Sequence, residues 1–334
     1  MGKITMEQGS GGAATAELIE GLFKDRLGNE YLDRMEDSSV VPGYKRLSVT
    51  TDSFVVRPVF YDGGDIGRLS VCGTVNDLLM SGSVPQYLTA GFVLEEGLDT
   101  DLLEKIVDSM ADTAKEAGVR IVAGDTKVVE SSGGEGGLII NTAGVGFVDE
   151  DVSVGARFIR PGDAVILSGN LGDHHAAIMK YRLNIKNNLI KSDNAPLNRM
   201  VRGLMEGGIK VRAMRDVTRG GLGTVLNEFA KESGADIVLQ ENSIPVSAAV
   251  RDFSGLLGLD IMYMGNEGKM VCAVAPEDKD RALRIIRDSE YGENAAVIGE
   301  VKETSEKPRL IMKTAVGGQR AVPPLFGEGL PRIC

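Results

Sequence analysis

The stretch "DVTRGGLGTVLNEFAKESGADIVLQE", residues 216–241, sets the grammar of the chain. Paired glycines open a helical run, Gly234 ends it where a left-handed cap is favoured, and "DIVLQE" follows as a strand. The same alternation extends outward. "RLSVTTDSFVV" (46–56) is rich in β-branched residues and stops at charge and Pro58, a strand pattern. "DIGRLSVCGTVNDLLMSG" (65–82) has helical spacing despite Gly73, and "QYLTAGFVLEE" returns to strand. Residues 100–117 give the clearest helix. Leu102, Leu103, Ile106, Val107, Met110 and Ala114 form one stripe, most charges lie off it, and Gly118 ends it. "VRIVAGD" and "GLIINTAGVGFV" then read as strands.

The second half repeats this order. "DAVILSG" reads as a strand and 196–206 as a helix with Pro196 near its first turn. After "DIVLQE" come the strand "KMVCAVA", the helix "PEDKDRALRIIRDS" and the strands "AAVIGEV" and "RLIMK". The polar, Gly-punctuated stretch near 149–162 marks a boundary between two α/β domains of similar size, with a tail from about Val316. Short strands interleaved irregularly with helices predict an α+β fold with mixed sheets, not a doubly wound parallel sheet.

Composition narrows the partners. The 334 residues hold 37 Lys+Arg against 48 Asp+Glu, a formal charge of −11, which argues against duplex nucleic acid and anionic membranes. A polyphosphate ligand would therefore need metal ions, backbone N–H groups and a few local cations. Gly is the outlier, with 43 residues, about 13 % against an ordinary ~7 %. Three Cys, at 72, 272 and 334, do not suggest a disulfide framework. With no apolar signal core in "MGKITMEQGSGG" and no membrane-spanning run, the expected setting is reducing and cytoplasmic.

Four acidic residues sit beside Gly or Thr at expected strand ends or helix starts: Asp52, Asp77, Asp125 and Asp216. Hard cations such as Mg²⁺ use a few carboxylates together with substrate phosphates, although Asp is also common in caps and turns. "GSGG" (9–12, with Gly9, Gly11 and Gly12) and "RGGLG" (219–223, with Gly220 and Gly221) each open a helical stretch, where successive N–H groups form an anion site. Neither is a Walker A loop. Lys127 follows the "GDT" turn and Glu267 stands in "GNEGK"; a solvated surface pair is the plain alternative. His174 and His175 in "LGDHHAA" lack ligand spacing and are read as structural. Cys334, the last residue, is a thiol on a free terminus, where an idle surface Cys would be an oxidation liability.

Taken together, "TTDSFVV", "GGDIG", "GTVNDLLMSG", "FVLEEGL", "VAGDTKVV", "INTAGVG", "DVTRGGLGTVLNEFA", "GNEGK" and the terminal "PRIC" closely resemble the HypE family of hydrogenase maturation factors. That family lies within the aminoimidazole ribonucleotide synthetase-like superfamily. The matches span almost the whole chain, and the terminal Pro-Arg-Ile-Cys is the specific signal. The resemblance implies an amino-terminal domain (1–155) that binds ATP and dimerises, a second α/β domain (156–315) and a mobile tail (316–334) carrying Cys334. It implies a homodimer that uses ATP and Mg²⁺, a carbamoyl group received by Cys334 from the carbamoyltransferase HypF, and its ATP-driven dehydration to an S-cyano group. The cyanide would pass to iron on the HypC–HypD complex for a [NiFe]-hydrogenase. By motif, Asp52, Asp77 and Asp125 correspond to metal and phosphate ligands. Gly9, Gly11, Gly12, Asp216, Gly220 and Gly221 correspond to the nucleotide site, and Lys127 and Glu267 to the residues that meet the thiol. The family often carries His before the first glycine cluster and "GDHG" centrally; here Gln8 and "GDHHA" stand instead, and no role is carried to them.

In this scheme Glu267, as an ionised carboxylate, is the expected base for the amide protons. Lys127 favours the Cys334 thiolate. From Ala321 a fully extended tail would reach roughly 43–47 Å, enough to offer the thiol outside and withdraw it to ATP. The rival readings are a superfamily relative that phosphorylates a small molecule, and a nucleotide-binding scaffold whose tail is a docking peptide.

Overall fold

A computed structural model describes residues 2–9, 13–35, 38–131, 137–304 and 306–325. The amino-terminal half runs through short helices α1 (Ala13–Leu18) and α2 (Asp25–Leu27), strand β1 (Leu47–Phe54), the small ladder of β2 (Phe60–Tyr61) with β3 (Gly64–Asp65), and helix α3 (Ile66–Met80). Strand β4 (Val84–Glu95), helix α4 (Thr100–Ala117) and strands β5 (Arg120–Val129) and β6 (Leu138–Phe147) complete it. Among the described residues these strands form a sheet in the order β1-β6-β4-β5, parallel only between β4 and β5.

Helix α3 is the keel. Asp65 caps it by accepting from the N–H groups of Gly67 at 2.7 Å and Arg68 at 3.0 Å. Nearly every side chain along it is buried, because it packs on β1 and β6 on one side and meets the strand Val211–Asp216 and the helix Asn198–Glu206 of the other half on the other. Its sequence accordingly lacks a polar stripe, as a helix enclosed on all sides should. Helix α4 packs on α3 with Leu103, Ile106, Val107, Met110 and Ala114 buried, and Gly118 closes it at φ 68°.

The other face of the amino-terminal sheet is uncovered. Strand alternation sends Leu47, Val49, Thr51 and Ser53 outward from β1, Ile139 and Asn141 from β6, Val93 from β4, and Asp125, Lys127 and Val129 from β5. Val49 is 71 % exposed and Leu47 51 %.

The carboxy-terminal half contains β7 (Ala164–Leu167), α5 (Asp173–Arg182), α6 (Asn198–Glu206), β8 (Val211–Asp216), α7 (Gly221–Ser233), β9 (Asp236–Gln240) and α8 (Ala248–Leu257). It continues through β10 (Met270–Val274), α9 (Lys279–Asp288), β11 (Ala296–Lys302), β12 (Leu310–Lys313) and β13 (Gln319–Ala321). Its sheet runs β13-β12-β9-β11-β7-β10-β8, with β12 and β9 parallel and the remaining pairs antiparallel. Both sheets are mixed, as the sequence predicts.

The segment expected to be tail from about Val316 is tied down at its start. Gln319–Ala321 pairs with β12, Val322 is buried with its N–H donating to Leu310 O at 2.9 Å, and the Tyr263 hydroxyl donates to Pro323 O at 2.7 Å. Counted from Pro323, the extended reach to Cys334 shortens to roughly 36–40 Å. Cys334 itself, with Gly11 and Gly12, lies outside the described residues.

Candidate functional site

Carboxylates gather where α3 meets the two sheets. Asp52 comes from β1, Asp77 from α3, Asp216 from the end of β8 and Glu267 from the loop before β10. Thr50 donates its hydroxyl to Asp77 Oδ2 at 2.8 Å. Burial raises the Asp77 pKa, and the charge of Asp52 raises it further. Asp216 is pushed up to about 7, first by burial and then by Asp77. Glu267 is raised well above the usual carboxylate range by burial, then by Asp193 and Asp216. Burial is the first cause for all three, each also feels another carboxylate, and Arg215 and Arg219 offset part of that repulsion.

Clustered carboxylates of this kind suit a divalent cation. Among the described residues, however, no group of three or more acidic, His or Cys side chains forms a ready-made metal cage. Mg²⁺ in general keeps waters and takes one or two carboxylates plus substrate phosphates, and Asp52 and Asp77 are the carboxylates that would serve it here. Arg219, exposed in the Asp216–Gly220 turn, acts on Asp77 and Glu267 as a nearby positive charge. Its place inside the "DVTRGG" motif was the available signal, and reasoning from acids and glycines passed over it.

Next to Asp216 the chain turns through Gly220 at φ 80° and Gly221 at φ 61° into α7. A Cβ on Gly221 would stand 2.6 Å from Met262 O, so only glycine lets α7 start against that loop. No side chain caps this helix; the Gly221 N–H donates to Thr218 O at 3.0 Å, and the next N–H groups have no capping side chain.

Lys127 and Asp125 stand elsewhere in the chain. Lys127 Nζ donates to Asp125 Oδ1 at 2.5 Å and Oδ2 at 2.7 Å on the uncovered sheet face. Asp125 pairs through Gly91 and Asn141 to Ser53, three strand steps or roughly 14 Å from the neighbour of Asp52. Within one chain the expected metal trio thus resolves into Asp52 with Asp77 on one side and Asp125 on the other. Gly9 belongs with Asp125: it packs against Val128 of β5. Both, with Lys127, border a cavity of about 340 Å³ whose other walls include Phe23, Tyr31, Phe92 and Ile121.

The setting of Glu267 in the ligand-free chain is that of a buried acid among other acids. Glu267 is only 8 % exposed, its side chain makes no hydrogen bond among the described residues, and burial followed by Asp193 and Asp216 raises its pKa. Its backbone is fixed by Asp193 and Asn76, which contact Glu267 N–H and C=O at 3.0 and 3.4 Å. Asp193, Lys269 and Asn76 escaped the sequence reading because contacts between distant segments give them their importance. His174 and His175 are buried and pushed down to about 4 by that burial, hence neutral, in keeping with a structural role. Cys72 and Cys272 are buried and free, with thiols pushed up by burial, Cys272 to about 12, and are unsuited to nucleophilic work.

Comparison with known proteins agrees with this architecture. The amino-terminal domain model of AIR synthase related proteins matches residues 35–148, and the corresponding carboxy-terminal model matches 160–310. The chain is 46 % identical to the carbamoyl dehydratase HypE of Cupriavidus necator, over all of this chain and 95 % of the relative. It is 41 % identical to that of Escherichia coli K12 over the full length of both. A hydrogenase maturation protein HypE solved in complex with ATP superposes with a TM-score of 0.95 at 42 % identity, covering 98 % of this chain and 99 % of that one. Two domains of the AIR synthase type, an acid-and-glycine site between them and full-length similarity at this level have one reading: the chain belongs to the HypE family of carbamoyl dehydratases.

Proposed function

We propose that this chain accepts a carbamoyl group on Cys334 and uses ATP to dehydrate it to a thiocyanate, which supplies cyanide for [NiFe]-hydrogenase iron. The observation that carries the reading is the join of carboxylates Asp52, Asp77 and Asp216 to the uncapped start of α7. This arrangement suits a triphosphate and its cation in a chain of net charge −11. The same reading gives HypF as carbamoyl donor, HypC–HypD as acceptor and a reducing cytoplasmic setting that keeps the Cys334 thiol free.

The carboxamide oxygen of Cys–S–C(O)NH₂ attacks the γ-phosphorus, the bond to ADP breaks, and one N–H proton is lost. The C–O bond then breaks as the second N–H proton leaves and C≡N forms, giving Cys–S–C≡N and inorganic phosphate. Bound Mg²⁺ supplies positive charge that neutralises the triphosphate and offsets the repulsion among Asp52, Asp77 and Asp216. Glu267 accepts amide protons, and a raised pKa makes its ionised form the stronger base. Gly220 and Gly221 allow the phosphates to approach the backbone, while the apolar cavity beside Gly9 suits the adenine base.

A second copy completes the site. The uncovered face carrying Leu47, Val49, Val93 and Ile139 is a large apolar exposure for an isolated chain, and Asp125 and Lys127 lie within it. Pairing two copies across it gives the homodimer. It also places the Lys127 ammonium at the subunit boundary, where it promotes the Cys334 thiolate during carbamoylation.

The test is intact-protein mass spectrometry after incubation with the carbamoyl donor system, with and without ATP. A carbamoyl adduct that loses one water only with ATP supports the reading. An unmodified chain that nonetheless consumes ATP on a small molecule favours the phosphorylating relative.

A further inference from the structure

Glu267 comes from a loop, yet its main chain is held on both sides. Its N–H donates to Asp193 Oδ1 at 3.0 Å, and the N–H of Gly268 donates to Asp193 Oδ2 at 3.3 Å. Its carbonyl accepts from Asn76 Nδ2 at 3.4 Å, a side chain that also donates to Ala195 O at 3.0 Å. The two oxygens of one carboxylate therefore meet two successive amides, which fixes the direction of the loop more firmly than a single bond.

Lys269 supplies the counter-charge from the same loop. Its Nζ lies 3.4 Å from Asp193 Oδ2, with the two side chains only 8 % and 2 % exposed, and it also donates to Gly268 O at 3.2 Å. Two glycines make room for this arrangement. A Cβ on Gly268 would overlap the Asp193 carbonyl, and one on Gly169 would approach the Lys269 Cε to 2.8 Å. A buried ion pair seldom contributes more stability than an apolar pair of the same shape, so its retention points to geometry.

We propose that Asp193 and Lys269 are positioning residues for Glu267: the buried pair locks the Glu267–Gly268 amides so that the Glu267 carboxyl meets the S-carboxamide in one orientation. The inference rests on the reading of Glu267 as the base.

Single-turnover loss of water from the carbamoylated full-length protein is measured for E267Q, D193N and the charge-neutral pair D193N/K269Q, together with ATP affinity and melting temperature. D193N alone strands an uncompensated ammonium, whereas the pair removes both charges at once. D193E keeps the charge but displaces the carboxylate, and gives the same readout where the pair destabilises the fold. The expected result is an unchanged ATP affinity and a dehydration rate lowered roughly 10- to 100-fold. Adding the pair to E267Q should cost nothing beyond E267Q alone, because both act through one side chain. Losses that multiply with E267Q, or that follow ATP affinity and melting temperature in step, would overturn the positioning role. A slow E267Q beside a full-speed D193N/K269Q overturns positioning while the base reading stands. A full-speed E267Q ends both.

Discussion

Asp77 and Asp216 face each other from different domains, one on the enclosed helix α3 and one at the end of β8, and the charge of Asp77 helps to lift Asp216 to about 7. Two acids brought together this way oppose folding unless something positive joins them. The ligand-free protein is accordingly held in a state that ATP with its cation should relieve.

An unfolded aspartate releases its proton near 3.9 or so, whereas folded Asp216 keeps it to about 7. Between those values the folded state binds more protons, so ligand-free stability falls as pH rises through the window and levels off above it. Asp216→Asn removes this dependence and stabilises the ligand-free chain at pH above 7 by ~1–3 kcal/mol, while ATP affinity in Mg²⁺ drops. Thermal melts across the window, with and without Mg²⁺·ATP, check both signs.

Lys127→Ala should slow carbamoylation of Cys334 by roughly 10-fold or more and weaken ATP binding less, since Lys127 only borders the cavity assigned to adenine and lies away from the Asp77–Asp216 pair. Mass spectrometry against time, alongside calorimetric ATP titration, separates the two effects. Equal losses in both would contradict the thiolate role.

On the uncovered sheet face, Val49→Lys places a charge on a residue that is 71 % exposed in the single chain. The fold should survive with a stability change within about 0.5 kcal/mol, as for an ordinary surface site. Sedimentation should show monomer in place of dimer, with dehydration impaired. A variant that stays dimeric would place the interface elsewhere.

Gly221→Ala brings a methyl to 2.6 Å from Met262 O and forces a side chain into φ 61°. A loss of about 1–3 kcal/mol is expected, with weaker nucleotide binding. Denaturant midpoints measure the first effect and ATP titration the second.

Much of the fold was legible because local pattern and tertiary need coincide. Helix α4 runs Thr100–Ala117 with its stripe inward and Gly118 as cap, as its spacing predicts. Strand β8 and helix α8 were not foreseen. "VRAMRD" interrupts its apolar residues with Arg, and "AAVRDFSGLL" carries Ser254 and Gly255 within ten residues, so neither shows a clean period. Strand β13 is polar and wholly exposed, and only its pairing with β12 defines it. The individual acids and glycines of the site were readable as motifs. Their division between Asp52, Asp77 and Asp216 and the distant Asp125–Lys127 pair was not, since sheet order and not sequence sets that distance. The raised pKa of Glu267 was not legible for a related reason: burial beside Asp193 and Asp216 is a property of the assembled loops.

The most direct measurement follows one atom. Cys334 is loaded with a carboxamide bearing a heavy-oxygen label, ATP is added, and the inorganic phosphate and the protein are weighed separately. Transfer of the label into phosphate, with an S-cyano group left on Cys334, is the predicted result. Label released as water, or a thiocyanate formed without ATP cleavage, would contradict the account.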